Sequence, residues 1–185
     1  MEKNLDARLK EEYVSSEEIF KGKIIGVQVD TVRLPDGKTA RREVVKHPGA
    51  VVILPLTDNK EVVLVRQYRH ATGEILLELP AGKRDGGEEP LACARRELEE
   101  ETGYQAQEMR VLTAFYTSPG FCDELIYLVM AKGLLKGEAC PDDGEFIDVV
   151  TLPLDEAVRM VLDGEIKDAK TGLGILACRG LEEQC

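Results

Sequence analysis

Several hallmarks of common enzyme and membrane-protein classes are missing from this 185-residue sequence. The glycine patterns GxGxxG and GxxxxGK[ST] do not occur, so neither a Rossmann dinucleotide site nor a P-loop is supported. Only three serines and two histidines are present, which disfavours a serine-triad hydrolase. The longest apolar run, near residues 50–56, falls well short of the roughly 18 residues that a membrane-spanning helix needs.

Positive charge is also scarce. The chain has 24 Lys and Arg against 35 Asp and Glu, a net charge of −11 that repels phosphate backbones and argues against nucleic-acid binding. A metal ion or a few arginines can still reverse this field locally for a small anionic ligand. The five cysteines form no CxxC pair, and the first 20 residues hold no apolar signal segment. We therefore predict a cytoplasmic protein that uses neither disulfides nor a membrane.

The hydrophobic pattern predicts many strands with helices inserted between them, after a start that we interpret as a loose arm or a short strand. Strands are expected near residues 23–34, 39–47, 49–56, 61–69, 75–79, 110–116, 125–132 and 146–151. Helices are expected at residues 90–102, 154–162 and 170–181, and a surface loop at residues 81–89. The first two strands flank a turn at residues 35–38 and form a hairpin. This order predicts an α+β fold with a partly antiparallel sheet.

A run of glutamates in the predicted helix at residues 90–102 carries the chemical information. At roughly 100° per residue, Glu97, Glu100 and Glu101 share one stripe of that helix. Like charges at this spacing destabilise a helix by about 0.2–0.5 kcal/mol per pair, and the helix dipole disfavours anions near the C-terminus. A hard divalent cation with oxygen ligands offsets this repulsion. Such a run by itself is most often a solvated helix face, so the flanking residues must decide.

The flanking residues complete the pattern Gly-x5-Glu-x7-Arg-Glu-U-x-Glu-Glu-x-Gly-U, where U is bulky and apolar. The nine positions are filled by Gly82, Glu88, Arg96, Glu97, Leu98, Glu100, Glu101, Gly103 and Tyr104. Nine constrained positions in 23 residues are a specific signal, and the chain resembles the Nudix hydrolases. The resemblance implies an α/β/α sandwich, with a mixed sheet between helices and an N-terminal β-hairpin or strand extension. It also implies Mg²⁺- or Mn²⁺-dependent hydrolysis of a nucleoside diphosphate linked to another group.

The same resemblance assigns roles within the motif. Glu97, Glu100, Glu101 and the backbone carbonyl of Ala81 are implied as ligands of two to three metal ions, with Glu100 and Arg96 among the catalytic residues. Arg96 and Glu88 are implied as braces for the ligands, and Gly82 as part of their supporting loop. We expect Arg96 to reach Glu100, one helical turn further on.

Beyond the motif, three stretches are similar to the ADP-ribose pyrophosphatase subfamily. They read REVVKHPGAVVILPL, VRQYRHATGEILLELPAGK and FYTSPGFCDELIYLVMA. The likeness implies that Arg69 binds the diphosphate, because the planar fork of arginine matches phosphate oxygens. Arg42 and Glu43 resemble residues near the adenine or terminal ribose, and Pro119 the subfamily proline sixteen residues beyond Gly103. Ordinary surface arginines, and a simple turn at Pro119, remain open as alternatives.

The water-activating base is expected in an acidic loop after the motif, GEACPDDGE. Glu145 fits that role best by pattern, Asp142 and Asp143 compete with it, and an acidic turn without catalytic duty is equally open.

We divide the chain into an N-terminal strand extension at residues 1–48, which the resemblance implies forms a homodimer, and a catalytic domain at residues 49–185. The predicted reaction converts ADP-ribose to AMP and ribose 5-phosphate. One alternative is another nucleoside diphosphate substrate, such as GDP-mannose or a dinucleoside polyphosphate. A second alternative, of a different class, is a nucleotide-sensing module without catalysis.

Overall fold

The computed structural model describes residues 8–141 and 144–182, which contain ten strands and three helices. The strands are β1 (Glu12–Lys21), β2 (Gly26–Arg33), β3 (Thr39–Lys46), β4 (Ala50–Pro55), β5 (Glu61–Arg69), β6 (Glu74–Glu78), β7 (Ala81–Lys83), β8 (Tyr104–Tyr116), β9 (Leu125–Lys136) and β10 (Ile147–Pro153). The helices are α1 (Pro90–Thr102), α2 (Leu154–Leu162) and α3 (Ala169–Glu182). None of the helices within these ranges is long and apolar enough to cross a membrane.

A smaller compact unit contains the described residues through Gly49 together with Tyr116–Leu125. Its sheet has the order β1-β2-β3, and both pairs of neighbouring strands are antiparallel. The predicted β2–β3 hairpin is present, with Gly37 at φ 85° in its turn. Within the described part of the first 20 residues, the structure has a strand that is longer than the predicted short one: β1 is ten residues long, because it pairs with β2 along its whole length.

The larger unit contains Ala50–Phe115 and the described residues from Ile126 onward. It has two sheets, in the orders β7-β4-β9-β8 and β10-β5-β6. Strand β4 is parallel to β9 and antiparallel to β7, whereas β5 is antiparallel to both of its neighbours. The apolar stretches at residues 50–56 and 62–65 thus lie in the inner strands β4 and β5, where both faces can be buried.

Strand β4 separates two hydrophobic cores, because successive side chains of a strand point to opposite faces. Val52 and Leu54 pack in a core with Ile175 of α3, which also includes residues of α2 and β5. Val51 and Ile53 pack in a second core that includes Ala94 and Leu98 of α1. Full burial of each of the valine, leucine and isoleucine side chains stabilises the fold by about 1.5–3 kcal/mol. The predicted α+β class, with a mixed sheet between helices, is confirmed.

Two of the differences from the sequence prediction lie on either side of α1. Residues 81–83 lie in the predicted surface loop but form the short strand β7, because they pair with Ala50, Val51 and Val52 of β4. Strand β8 begins at Tyr104 rather than near residue 110, directly after α1 ends. Both differences come from pairing with strands distant in sequence, which periodicity within one segment does not report. The predicted domain boundary after residue 48 stays a prediction.

Candidate active site

Helix α1 carries the glutamate stripe and has well-defined ends. Pro90 occupies the first helical turn, where its missing N–H would have had no partner. Gly103 ends the helix in the left-handed region at φ 72°, and its N–H donates to the carbonyl of Glu99 at 2.8 Å. Leu98 and Cys93 lie on the buried face of this helix, and burial raises the pKa of the Cys93 thiol to about 12. This packing fixes the rotation of α1 and hence the direction of its carboxylates.

Arg96 binds three carboxylates, two on α1 and one in the loop before it. Its Nη1 donates to Glu97 Oε1 at 2.7 Å and to Glu100 Oε2 at 3.0 Å, and its Nη2 donates to Glu88 Oε2 at 3.0 Å. The hydrogen bond to Glu88 is the largest influence that raises the pKa of Arg96 above its ordinary value. One guanidinium therefore holds the loop before α1 against the helix and fixes two carboxylates of the stripe.

Arg84 supports the same loop and was missed at the level of the sequence. Its Nε and Nη2 donate to the backbone carbonyl of Glu88 at 2.9 and 2.6 Å, and its guanidinium lies 5.2 Å from the ring centroid of Tyr127. Between Arg84 and Glu88 the chain turns through Gly86 and Gly87, whose φ angles are 26° and 94°. Residues with a side chain are strained at these angles. No local pattern marks Arg84, because Tyr127 lies on β9, far along the sequence.

Gly82 has a steric reason to be glycine. A Cβ built on its backbone would lie 1.9 Å from Glu97 Cδ, far inside van der Waals contact. Strand β7 therefore approaches the Glu97 carboxylate so closely that only a hydrogen fits between them. The motif glycine thus shapes the space around the first glutamate of the stripe.

Glu101 is the most buried carboxylate of the stripe, at 4% exposed. Its Oε2 accepts a hydrogen bond from the backbone N–H of Ala81 at 3.0 Å. Desolvation, with the charges of Glu97 and Glu145, raises the pKa of Glu101 to about 8. Desolvation is also the largest cause that raises the pKa of Glu97. Arg96 acts to lower this pKa, and repulsion by Glu100 and Glu145 acts to raise it further. The two carboxylates are held close to each other at an electrostatic cost.

These residues fit a divalent metal ion by the chemistry of their donors. Among the described residues, no group of three or more His, Cys, Asp or Glu is gathered into a cluster that could hold a metal ion. Arg96 instead binds two of the carboxylates. The donors are nevertheless hard oxygens, which Mg²⁺ and Mn²⁺ prefer, and a bound dication would relieve the repulsion that raises the pKa of Glu97 and Glu101.

Arg69, at the end of β5, lies in the same unit as the glutamate stripe. Its Nε and Nη2 donate to the two carboxylate oxygens of Glu78 at 2.7 and 2.9 Å. The hydrogen bond to Glu78 raises the pKa of Arg69, and the charge of Glu101 contributes in the same direction. Glu78 was also missed at the level of the sequence, although its position as the one charged residue of ILLELP was a usable signal.

Glu145 comes just before β10 and is exposed. Its charge contributes to raising the pKa of both Glu97 and Glu101, so the structure brings it within electrostatic range of the stripe. The competing acids Asp142 and Asp143 lie outside the described residues.

The remaining predicted site residues belong to the smaller unit. Arg42 and Glu43 line an open groove of about 620 Å³ together with Phe121. Arg42 Nε donates to Glu11 Oε2 at 3.1 Å. Pro119 is exposed in the turn that brings the Phe121 N–H to within 3.1 Å of the Ser118 carbonyl, which agrees with the structural interpretation of Ser-Pro-Gly as a turn.

Comparison with known proteins decides the family. The NUDIX domain family matches residues 46–171, which include the whole motif. This chain belongs to the Nudix family. Residues 11–45 match a second family, the nucleoside diphosphate sugar hydrolase N-terminal domain.

Two relatives align with nearly the whole chain. One, from Bacillus subtilis (strain 168), is named ADP-ribose pyrophosphatase and is 45% identical over 169 residues, which are 90% of this chain and 91% of the relative. The other, from Bacillus methanolicus, is named methanol dehydrogenase activator and is 46% identical over 168 residues, again 90% and 91% of the two chains. A crystal structure of an ADP compounds hydrolase has a TM-score of 0.83 over 95% of each chain at 23% identity, which shows the shared Nudix fold.

Proposed function

We propose that this Nudix protein hydrolyses the diphosphate bond of ADP-ribose, or of a closely related nucleoside diphosphate sugar, in a reaction that depends on a divalent metal ion. The observation that carries the proposal is the pair of crowded carboxylates, Glu97 and Glu101, with Arg69 in electrostatic range of the second. Hydrolysis of such a substrate needs an anionic site that binds a dication and a cationic side chain that binds the diphosphate.

Glu97, Glu100 and Glu101, with the backbone carbonyl of Ala81, would hold two to three Mg²⁺ or Mn²⁺ ions. When bound, such ions neutralise the diphosphate and align it for in-line displacement. Glu97 and Glu100 are 13% and 32% exposed, so solvent and ligands reach both carboxylates. Arg96 donates to Oε1 of Glu97 and to Oε2 of Glu100, so a metal ion would bind the other oxygen of each carboxylate or share these two with Arg96. The arrangement gives Arg96 a role in orienting the ligands.

In the proposed reaction, Arg69 binds the diphosphate through N–H groups that Glu78 leaves free. Glu145 accepts a proton from the attacking water, which forms a new P–O bond as the bridging P–O bond breaks. ADP-ribose and water thereby give AMP and ribose 5-phosphate, with no covalent enzyme intermediate. The exposure of Glu145 suits a group that approaches the site when substrate binds.

Arg42, Glu43 and Pro119 are proposed to contact the adenosine or the terminal ribose. In the smaller unit, the groove offers a cation, an anion and the ring of Phe121, which is 58% exposed. An exposed aromatic ring and charged hydrogen-bonding groups are what a nucleoside needs for stacking and for recognition of its edges.

The chain is also proposed to form a homodimer through β1. Every residue of this strand is exposed, and Tyr13, Ile19 and Phe20 are 62%, 55% and 53% exposed. An edge strand with this much apolar surface favours association with another chain. Analytical ultracentrifugation should find a dimer whose dissociation constant rises at least tenfold in Ile19→Glu. A monomeric wild type would contradict this proposal. The cytoplasmic location stays a prediction from the cysteine pattern.

The proposed activity can be tested by incubating the protein with Mg²⁺ and ADP-ribose, GDP-mannose or diadenosine polyphosphates in separate reactions. We expect ADP-ribose to be hydrolysed with the highest kcat/KM and to give AMP and ribose 5-phosphate. Glu101→Gln should lose this activity, whereas Glu99→Gln, which changes an exposed residue of the same helix, should keep it. Preference for another substrate by orders of magnitude would reassign the specificity. Tight nucleotide binding without turnover would favour a sensing module.

A further inference from the structure

A line of four charged side chains of alternating sign connects the start of α3 to Arg69. Asp168 pairs with Lys170, with 2.9 Å between Oδ1 and Nζ, and Lys170 Nζ also bonds to Glu78 Oε2. Glu78 then receives the two N–H groups of Arg69. Arg69 is the exposed end of this line, at 40% of its side chain, whereas Lys170 is 15% and Glu78 only 1% exposed.

Glu78 is buried, and both of its cationic partners stabilise its charged form. Desolvation acts to raise the pKa of Glu78, but the hydrogen bonds and charges of Arg69 and Lys170 outweigh it and hold the pKa below its ordinary value. A buried carboxylate that loses one of its two partners is left undercompensated, and the remaining partner must carry more of its charge. If Lys170 lost its charge, that remaining partner would be Arg69.

The position of Lys170 is fixed by the first turn of α3. Asp168 Oδ2 accepts from the Thr171 N–H at 3.0 Å, and Thr171 Oγ1 accepts from the Leu79 N–H at 2.8 Å. Leu79 follows Glu78 directly, so the helix start and the end of β6 are bonded at two adjacent places. Lys170 therefore meets Glu78 with little freedom to move, and its low exposure keeps it from serving as a surface group for ligands.

We propose that Lys170 is a positioning residue which acts through Glu78 to hold the guanidinium of Arg69 in place, and available, for the anionic part of the substrate. This inference rests on the proposed function, because it takes the diphosphate as the ligand of Arg69.

Two physical effects follow from this arrangement. The two parallel hydrogen bonds from Arg69 to Glu78 fix the plane of the guanidinium, and among the described residues no protein acceptor binds its Nη1. That edge can therefore face a phosphate oxygen. The positive charge of Lys170 offsets part of the negative charge of Glu78. The electrostatic potential at the exposed edge of Arg69 is therefore more positive, which favours an anionic substrate. Removing Lys170 should weaken ground-state and transition-state binding alike, because the diphosphate is anionic in both.

The test compares Lys170→Met with a matched control, Lys167→Met. Lys167 pairs with Glu74 at 2.6 Å, and this exposed pair links β6 to the segment before α3. We expect Lys170→Met to raise KM for ADP-ribose about tenfold with kcat within about twofold of the wild type, and Lys167→Met to change neither. Lys170→Arg should restore most of the affinity, since it keeps the charge. If Lys170→Met does not fold, Lys170→Gln removes the charge with less apolar surface.

A double-mutant cycle with Arg69→Ala separates positioning from a general loss of structure. Because Lys170 acts through Arg69, Lys170→Met should raise KM by less than about twofold when Arg69 is already Ala. A full tenfold effect in that background, or an unchanged KM in Lys170→Met alone, overturns the inference while leaving the proposed function intact. A wild-type protein that neither hydrolyses nor binds ADP-ribose overturns both.

Discussion

The glutamate at position 101 should destabilise the metal-free protein, and replacing it with glutamine should therefore stabilise that form while abolishing activity. Burial raises its pKa to about 8 from an ordinary value of 4.5. Folding raises the pKa of this carboxyl group, so the folded protein favours its neutral form. The free energy of unfolding is therefore highest below pH 4.5, and it falls as the pH rises from 4.5 to about 8. Near neutral pH, the folded metal-free protein must take up a proton that the unfolded chain does not hold.

The magnitude follows from this difference in pKa. At 1.36 kcal/mol per unit, the stability lost by pH 7 is about 3 kcal/mol, and at pH 5 it is only about 1 kcal/mol. Glutamine keeps the acceptor for the Ala81 N–H. Desolvation of its new amide group offsets part of the gain, by about 1–3 kcal/mol, but this offset does not depend on pH. The difference in unfolding free energy between Glu101→Gln and the wild type should therefore grow by about 2 kcal/mol from pH 5 to pH 7.

The assay is urea unfolding in a metal chelator at pH 5 and pH 7, followed by the same measurement with Mg²⁺ at pH 7. Glu99→Gln, at an exposed position of α1, should show no such change with pH and serves as the control. Added Mg²⁺ should stabilise the wild type, by about 2.7 kcal/mol at a hundredfold excess over its dissociation constant, and should not stabilise Glu101→Gln to the same degree. A difference between variant and wild type that is the same at both pH values would refute this electrostatic origin.

Three further results are expected. Gly82→Ala places a Cβ 1.9 Å from Glu97 Cδ, so Mg²⁺ affinity and kcat should each fall at least tenfold in calorimetry and steady-state assays, and an unaltered variant would contradict the close approach. Leu98→Ala should lower the free energy of unfolding by about 2–5 kcal/mol, because Leu98 is 1% exposed, whereas Leu91→Ala at a 38% exposed position should lower it by less than about 1 kcal/mol. Glu145→Gln should reduce kcat by about 10²- to 10⁴-fold with KM little changed; retained turnover would move the proton acceptor elsewhere.

The sequence by itself determined the features that depend on neighbouring residues. Pro90 and Gly103 define the ends of α1, because a proline suits the first turn and a glycine the left-handed residue after the last. The contact of Arg96 with Glu100 follows from the helical repeat, and the spacing of the motif residues alone was enough to indicate the Nudix family. The strand pattern also predicted the mixed α+β class.

Tertiary structure alone decided what depends on residues that are far apart in the chain. Glu78 was missed at the level of the sequence because its burial between Arg69 and Lys170 depends on α3, about 90 residues away. Arg84 was missed likewise, because it lies in a loop and the ring of Tyr127 that contacts it is on β9, far along the chain. The raised pKa of Glu101 depends on how deeply α1 is buried, which no spacing reports. Local preferences fix where a helix begins and ends, but burial and charge are set by the packing of distant segments, and these decide which carboxylates are paired and which are available for chemistry.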